Sequence, residues 1–295
     1  MHMLKLVAAL AVAGAALLAG GPSYAQAQPT PSAANPVREI SKIAGEVYRF
    51  RNNNHFSIFV VTPAGIIVTD PINKPAAEWL KAELKQRYPD RPIRYVVYSH
   101  DHADHISGGE VFVDSAVVIA HANAKDAIIG EKRPTAVPHV TFTDRLDIEL
   151  GGTVMELHYV GRNHSNNSLV MRLPVEKIVF AVDFIPVGAI GFRDFPDGYL
   201  DEWIASLKAV EAMEFEILAP GHGPLGNKDS VRNYRFYMED LRSQVLALVR
   251  AGKSLEDTKK EVDLSKYKSW AGFEQMSQLQ IEGMYRLVST TRRPN

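Results

Sequence analysis

The alternation of apolar and polar positions divides the chain into short strands and amphipathic helices. Residues 46–50 alternate and predict a strand, and Arg51-Asn52-Asn53-Asn54 carries a turn signal. Residues 55–62 predict a second strand, with Ile58-Phe59-Val60-Val61 as a buried run. Pro63-Ala64-Gly65 turns the chain again, and 66–69 predicts a third strand ending at Asp70-Pro71. This is a β-meander. Ala77, Leu80, Leu84 and Tyr88 then share one face of a helix predicted over about 74–88. Ile93-Arg94-Tyr95-Val96-Val97-Tyr98 is short, apolar and β-branched, and reads as a buried strand. Ser107-Gly108-Gly109 is a break from which a helix can start.

Further along, 117–120 predicts a strand, 121–129 a helix and 133–138 a loop. Residues 144–150 and 153–160 form a hairpin around Gly151-Gly152. Strands follow at 168–173 and 177–182, then a helix over 200–213 with Trp203, Leu207 and Val210 on one face. A last strand at 215–219 ends in Pro220-Gly221-His222-Gly223-Pro224, and from Asn227 the pattern is helical only. Strands and helices alternate twice, which argues for an α/β sandwich with mixed sheets.

The start of the chain breaks this pattern. Lys5 precedes an apolar run over 6–19, and Ser23-Tyr24-Ala25 resembles a small-residue cleavage site. This is the pattern of a secretory signal peptide, and the run is short for a membrane span of ~20 residues. Residues 26–37, rich in Pro, Ala, Ser and Gln, read as a disordered linker. The expected organisation is a leader over 1–25, the linker, an α/β domain over 38–226 and a helical extension of that domain over 227–295. The expected location is the periplasm or the outside of the cell, with no membrane association after cleavage. With 46% apolar and 23% charged residues and a net charge of -1, nothing points to nucleic acid as a partner. There is no cysteine, so disulfides and lipid attachment through cysteine are excluded.

The candidate chemistry is concentrated in Ser99-His100-Asp101-His102-Ala103-Asp104-His105, which holds three of only ten histidines. It sits directly after a predicted strand, where a rigid scaffold presents a loop. Imidazole suits zinc and carboxylate is a harder donor. Alternate residues of an extended segment point to one side, so His100 and His102 can grip one ion. Asp104 and His105, beyond a turn, can face a second. Three more candidates follow predicted strands: His164, Asp183 and His222. Four loops on one rim can converge, and seven groups are what two ions need.

These residues resemble the metallo-β-lactamase superfamily. Its core motif His-x-His-x-Asp-His is matched in full by His100, His102, Asp104 and His105. Its later motifs are matched, in order, by His164 in Gly-Arg-Asn-His-Ser, Asp183 in Phe-Ala-Val-Asp and His222 in Pro-Gly-His-Gly. The resemblance covers roughly residues 46–226 and does not extend to the C-terminal helices. It implies a four-layer αββα sandwich of two mixed β-sheets with a two-metal site. One ion would be held by His100, His102 and His164, the other by Asp104, His105 and His222, with Asp183 bridging as in glyoxalase II-like and lactonase-like members. The best-known β-lactamase subclass has a cysteine where Asp183 stands, which this chain lacks. Flavodiiron-like reductases carry Glu where His102 stands, so His102 favours two Zn2+ ions, with iron or manganese as alternatives.

The resemblance implies a hydrolase acting on a small molecule, with the hydroxide oriented by Asp104 attacking a carbonyl of a cyclic amide or ester. The alternatives are a glyoxalase II-like thioesterase or acyl-lactone hydrolase, an iron-dependent sulfur dioxygenase, and a non-catalytic metal-stabilised binding protein. Asp70 is expected behind a metal ligand or in a plain turn. Asn53, Asn54 and His55 lie in a hairpin that overhangs the site in relatives, and Asn166 and Asn167 are weaker substrate-contact candidates. His121, His139 and His158 read as structural, and Trp203 and Phe215 as core. The C-terminal helices could cap the site, pack on the outer layer or make a homodimer.

Overall fold

The computed structural model describes residues 35–291. The leader and nearly all of the linker expected from the sequence lie outside the described residues. Two sheets carry the fold. The first has seven strands in sequence order: β1 (Arg38–Ala44), β2 (Val47–Asn52), β3 (His55–Thr62), β4 (Gly65–Thr69), β5 (Ile93–Val97), β6 (Val117–His121) and β7 (Val140–Phe142). β1 to β4 run antiparallel, and β4 to β7 run parallel. The second sheet has the order β12-β11-β10-β9-β8, with β8 (Arg145–Leu150), β9 (Thr153–Tyr159), β10 (Leu169–Leu173), β11 (Ile178–Phe180) and β12 (Ile217–Ala219). Its β11–β12 pair is parallel and the rest antiparallel.

The central strands of both sheets are apolar on both faces because both faces are covered. Ile58, Val60, Ile67 and Val97 of the first sheet pack against Met155, Leu157, Met171 and Phe180 of the second. The alternate residues Phe59, Ile66, Val68 and Val96 face outward onto α1 (Lys74–Arg87) and α3 (Ala122–Gly130). On the far side, Val170, Val179 and Leu218 face α4 (Leu200–Ala212), α5 (Lys228–Arg250) and α7 (Phe273–Thr291). A short α6 (Leu255–Glu261) joins α5 to α7. The layers are therefore helix, sheet, sheet, helix, as expected. No helix among the described residues is long and apolar enough to cross a membrane.

The differences from the sequence reading are physical. β1 and β7 went unrecognised. They are the edge strands of the first sheet: β1 is largely polar and exposed, and β7 is only three residues long and mostly exposed, so neither has the buried run that marks a central strand. A helical segment does start at the Ser107-Gly108-Gly109 break, as a 3₁₀ turn over Gly109–Phe112, and a short α2 (Ala103–Ile106) precedes it on the ligand cluster itself. Gly108 has φ 87°, and a Cβ there would sit 2.5 Å from the Lys74 backbone, so the glycine serves a turn squeezed against α1. The C-terminal helices pack on the outer face of the second sheet.

Candidate metal centre

The residues named from sequence lie just after the C-terminal ends of strands. Asp70 follows β4, the 100–105 cluster follows β5, His164 follows β9, Asp183 follows β11 and His222 follows β12. The two sheets present these ends on one rim. The ligand atoms gather into two quartets: His100, His102, His164 and Asp183, and Asp104, His105, Asp183 and His222. Within each quartet all ligand atoms lie within 4.8 Å of one another.

Asp183 is the hinge of the arrangement. Its Oδ2 lies 3.0 Å from His105 Nε2, 3.6 Å from His100 Nε2 and 3.7 Å from His164 Nε2, while Oδ1 lies 3.5 Å from His222 Nε2. His164 Nε2 is 3.0 Å from His102 Nδ1, and His105 Nε2 is 3.2 Å from His222 Nε2. Donors placed ~2.0–2.1 Å from one ion in a tetrahedron stand about 3.3 Å apart, which the observed separations bracket. His100 Nε2 and Asp183 Oδ1 are buried and make no hydrogen bond among the described residues. Buried polar atoms aimed at one point without partners are what a cation satisfies. The donor set therefore fits divalent metal.

The loop geometry depends on close packing. A Cβ on Gly221 would stand 2.7 Å from Asp183 Oδ1 and 2.9 Å from His105 Cε1, so only glycine lets the His222 loop pass this close. Arg49 donates to Pro220 O at 3.0 Å and to Gly223 O at 2.7 Å, bracketing His222 from β2. His222 Nδ1 bonds Asn54 O at 2.9 Å. Sequence reading missed Arg49, since it lies more than 170 positions from its partners.

Electrostatics pre-set the donors. Burial, reinforced by His102, holds His100 well below the usual imidazole range, and burial lowers His164 to about 4. Burial alone would raise the Asp183 carboxyl, but His105 outweighs it and holds Asp183 well below the carboxylate range. Burial opposes charge on His105, yet Asp183 and Asp70 raise it well above the imidazole value. For His222 burial is likewise overcome, by the Asp183 carboxylate beside it.

A pH dependence follows for chelator-treated protein. His100 and His164 stay neutral when folded but titrate near 6.5 once unfolded, so the unfolded chain binds more protons below that pH. Stability is expected to fall as pH drops from 6.5 toward 4. His105 and His222, being raised, stay protonated in that window and give no opposing slope; their contribution is lost only as pH rises through their folded pKa values. Thermal melts of chelated protein at stepped pH test this, and a flat melting temperature across the window would contradict it.

The weaker candidates separate. Asp70 is fully buried, accepts from Ser99 N at 2.8 Å, and sets Oδ2 3.5 Å from His105 Nδ1, behind a ligand. His55 reaches the site: its Nε2 is 3.2 Å from Asp104 Oδ2, and its ring meets His222 edge-on at 4.7 Å. Asn53 does not; it sits in the turn at φ 57° and pairs with Val37. Asn167 is buried, so it is not a substrate donor. It clamps Asp101, accepting from Asp101 N at 3.0 Å and donating to Asp101 Oδ1 at 2.7 Å. His121 caps α3, accepting from Asn123 N. Trp203 is core but more than that, since its ring meets the His164 ring edge-on at 5.7 Å. Asp197, unremarked in the sequence, sets Oδ2 3.5 Å from His102 Nε2. A cleft of about 590 Å³ opens beside His102, walled by Asp101, Arg133, Ser165, Asn166, Asp197 and Tyr199.

Residues 51–222 match the sequence model of the Metallo-beta-lactamase superfamily. The chain belongs to that superfamily. The family is one of metal-dependent, hydrolase-type enzymes, and the matched segment contains all seven ligand candidates. The chain is similar to the 2,4-dinitroanisole O-demethylase subunit alpha of Nocardioides sp. (strain JS1661), 23% identical over 191 residues, 63% of this chain and 58% of that protein. The match thus spans little more than half of that relative. The chain is also similar to a metallo-beta-lactamase type 2 of Bacteroides fragilis, 24% identical over 61% of this chain and 70% of that one. Among solved structures, a metallo-beta-lactamase from Pontibacter korlensis superposes with a TM-score of 0.61 at 21% identity, over 69% of this chain and 99% of the other. That likeness concerns the fold. In this superfamily member the family match itself ends at 222, before the C-terminal helices.

Proposed function

We propose that this superfamily member is an exported hydrolase that holds two Zn2+ ions and cleaves a carbonyl bond of a cyclic amide or ester. The observation that carries the reading is the pair of quartets joined at Asp183 beside an open polar cleft. His100, His102, His164 and Asp183 would hold one ion; Asp104, His105, Asp183 and His222 the other. When bound, zinc lowers the pKa of water from 15.7 to about 7, supplying a nucleophile at neutral pH. Export rests on Lys5 and the apolar run over 6–19.

The protein's own groups then position and move protons. The Asp104 carboxyl is half-exposed at the rim. Burial would raise it, but hydrogen bonding with His55 and the field of His105 lower it to about 2, so it is an acceptor at neutral pH. Asp104 would orient the attacking water and take its proton. Of the residues that wall the cleft, Asn166 and Tyr199 would meet a substrate's polar groups. A second reading, thioester or lactone hydrolysis, is favoured by the Asp183 carboxylate between the quartets. The second quartet, which a dioxygenase using fewer ligands would leave idle, disfavours the iron reading.

The test is turnover of a β-lactam, a lactone, a thioester and 2,4-dinitroanisole by zinc-loaded protein, with Asp104→Asn beside it. Wild type is expected to hydrolyse at least one of the carbonyl substrates, and the variant to lose about 10²–10⁴-fold. Wild-type rates in the folded variant would remove Asp104 from this role. Demethylation of the anisole alone would overturn the carbonyl reading.

A further inference from the structure

The helices after residue 227 carry no motif and no ligand candidate, yet α7 holds the loop that leads to the metal rim. The loop between Asp183 and α4 is stitched to the C-terminal segment along its length. Ile190 N donates to Ala271 O at 2.9 Å, and Ala271 N donates to Gly188 O at 3.0 Å. Gln280, fully buried, accepts from the Tyr237 hydroxyl at 3.2 Å and donates to Arg193 O at 2.7 Å. Arg286 donates to Asp194 O at 2.8 Å and Phe195 O at 3.3 Å. Between them, Gly283 lets the loop lie directly on the helix: a Cβ there would stand 2.0 Å from Asp194 O.

The held segment has an unfavourable backbone. Arg193 and Phe195 lie at φ 51° and 55°, conformations that side chains bearing a Cβ keep only where surroundings over-determine them. What the segment carries explains why it is held. Phe195 is buried and meets Trp203 edge-on at 5.7 Å, and Trp203 in turn meets His164. Two residues later, Asp197 faces His102 Nε2, the nitrogen opposite the one facing His164. Tyr199 N donates to Asn163 O at 2.9 Å, next to His164. The contacts of the 195–199 segment fall on His102, on Trp203 behind His164 and on Asn163 beside it.

We propose that Gln280, Gly283 and Arg286 of α7 are positioning residues for the first quartet: they fix the 192–199 loop, through which Asp197 orients His102 and Trp203 backs His164. A carboxylate on the outer nitrogen of a ligand histidine sets its tautomer and ring orientation, and such partners are worth about 10–100-fold in metal affinity. The helix contacts stand by themselves, while their effect on the histidines rests on the metal-centre reading.

The test uses the full chain with Gly283→Ala and Arg286→Met, and Glu282→Gln as control. Glu282 lies on the same helix but pairs with Lys259 at 2.8 Å, away from the loop. Alanine is a better helix former than glycine, so Gly283→Ala isolates the clash from helix propensity. Two readouts are taken. Hydrogen exchange of the 188–199 amides is followed in chelated protein. Zinc titration is repeated in a His222→Ala background, which leaves the first quartet, and in a His164→Ala background, which leaves the second. Both clamp variants are expected to speed loop exchange and weaken the first quartet about tenfold, leaving the second and the control unchanged. Should Gly283→Ala fail to fold, Arg286→Met decides. Wild-type loop exchange, or unchanged first-quartet affinity, in a folded clamp variant overturns the proposal. A parent chain that binds no zinc would overturn the metal reading, with loop exchange still deciding the clamp.

Discussion

Replacing Asp183 by asparagine is expected to weaken both halves of the metal centre at once. Asp183 alone belongs to both quartets, and four histidines face its two oxygens at 3.0 to 3.7 Å. Asparagine keeps the shape but removes the charge and one acceptor oxygen. Losing even an outer partner of a ligand costs about 10–100-fold in metal affinity, so losing the shared ligand is expected to cost on the order of 100-fold or more at each quartet. The contrast is His222→Ala, which touches only the second quartet. Metal content after dialysis and zinc titration separate the two, with circular dichroism to establish folding. Two ions held by Asp183→Asn with wild-type affinity would remove Asp183 from its shared place.

The second large effect is on stability. Asp70→Ala is expected to destabilise the fold by about 3–5 kcal/mol, the usual cost of breaking a buried ionic pair from one side. Both Asp70 and His105 are fully buried. The substitution leaves Ser99 N–H without its acceptor and His105 Nδ1 facing a cavity instead of a carboxylate. Native proteins stand only about 5–15 kcal/mol above unfolding, so the loss takes a large share. Chemical denaturation of chelated protein measures it without contribution from metal. A loss under about 1 kcal/mol, as for an exposed pair, would show that Asp70 is a turn residue and no more.

The central strands were legible because their chemistry is local. Ile66, Ile67 and Val68 are apolar on both faces because the sheet is covered on both, and a run of that kind needs no partner to be recognised. The edge strands β1 and β7 were not: solvent on one side allows polar residues in β1, and β7 is only three residues long, too short to show a pattern. The ligand set was legible for a similar reason. Three histidines and Asp104 within six positions after a strand are a local statement of metal chemistry. Single residues were harder to place. Asn53 and His55 stand two apart in one hairpin, yet only His55 reaches Asp104. Asn167 is drawn inward onto Asp101 because the loop around it is buried.

By itself, then, the chain determined its central strands, its α/β class and the cluster at 100–105, all of which follow from residue type and short spacing. Tertiary structure decided which nitrogen of each histidine turns inward and what stands behind it. Asp70 backs His105, Asp197 faces His102, Arg49 brackets His222 and α7 holds the loop. These contacts join residues up to 174 positions apart. They form only when separately folded loops meet on one rim, so no local pattern encodes them.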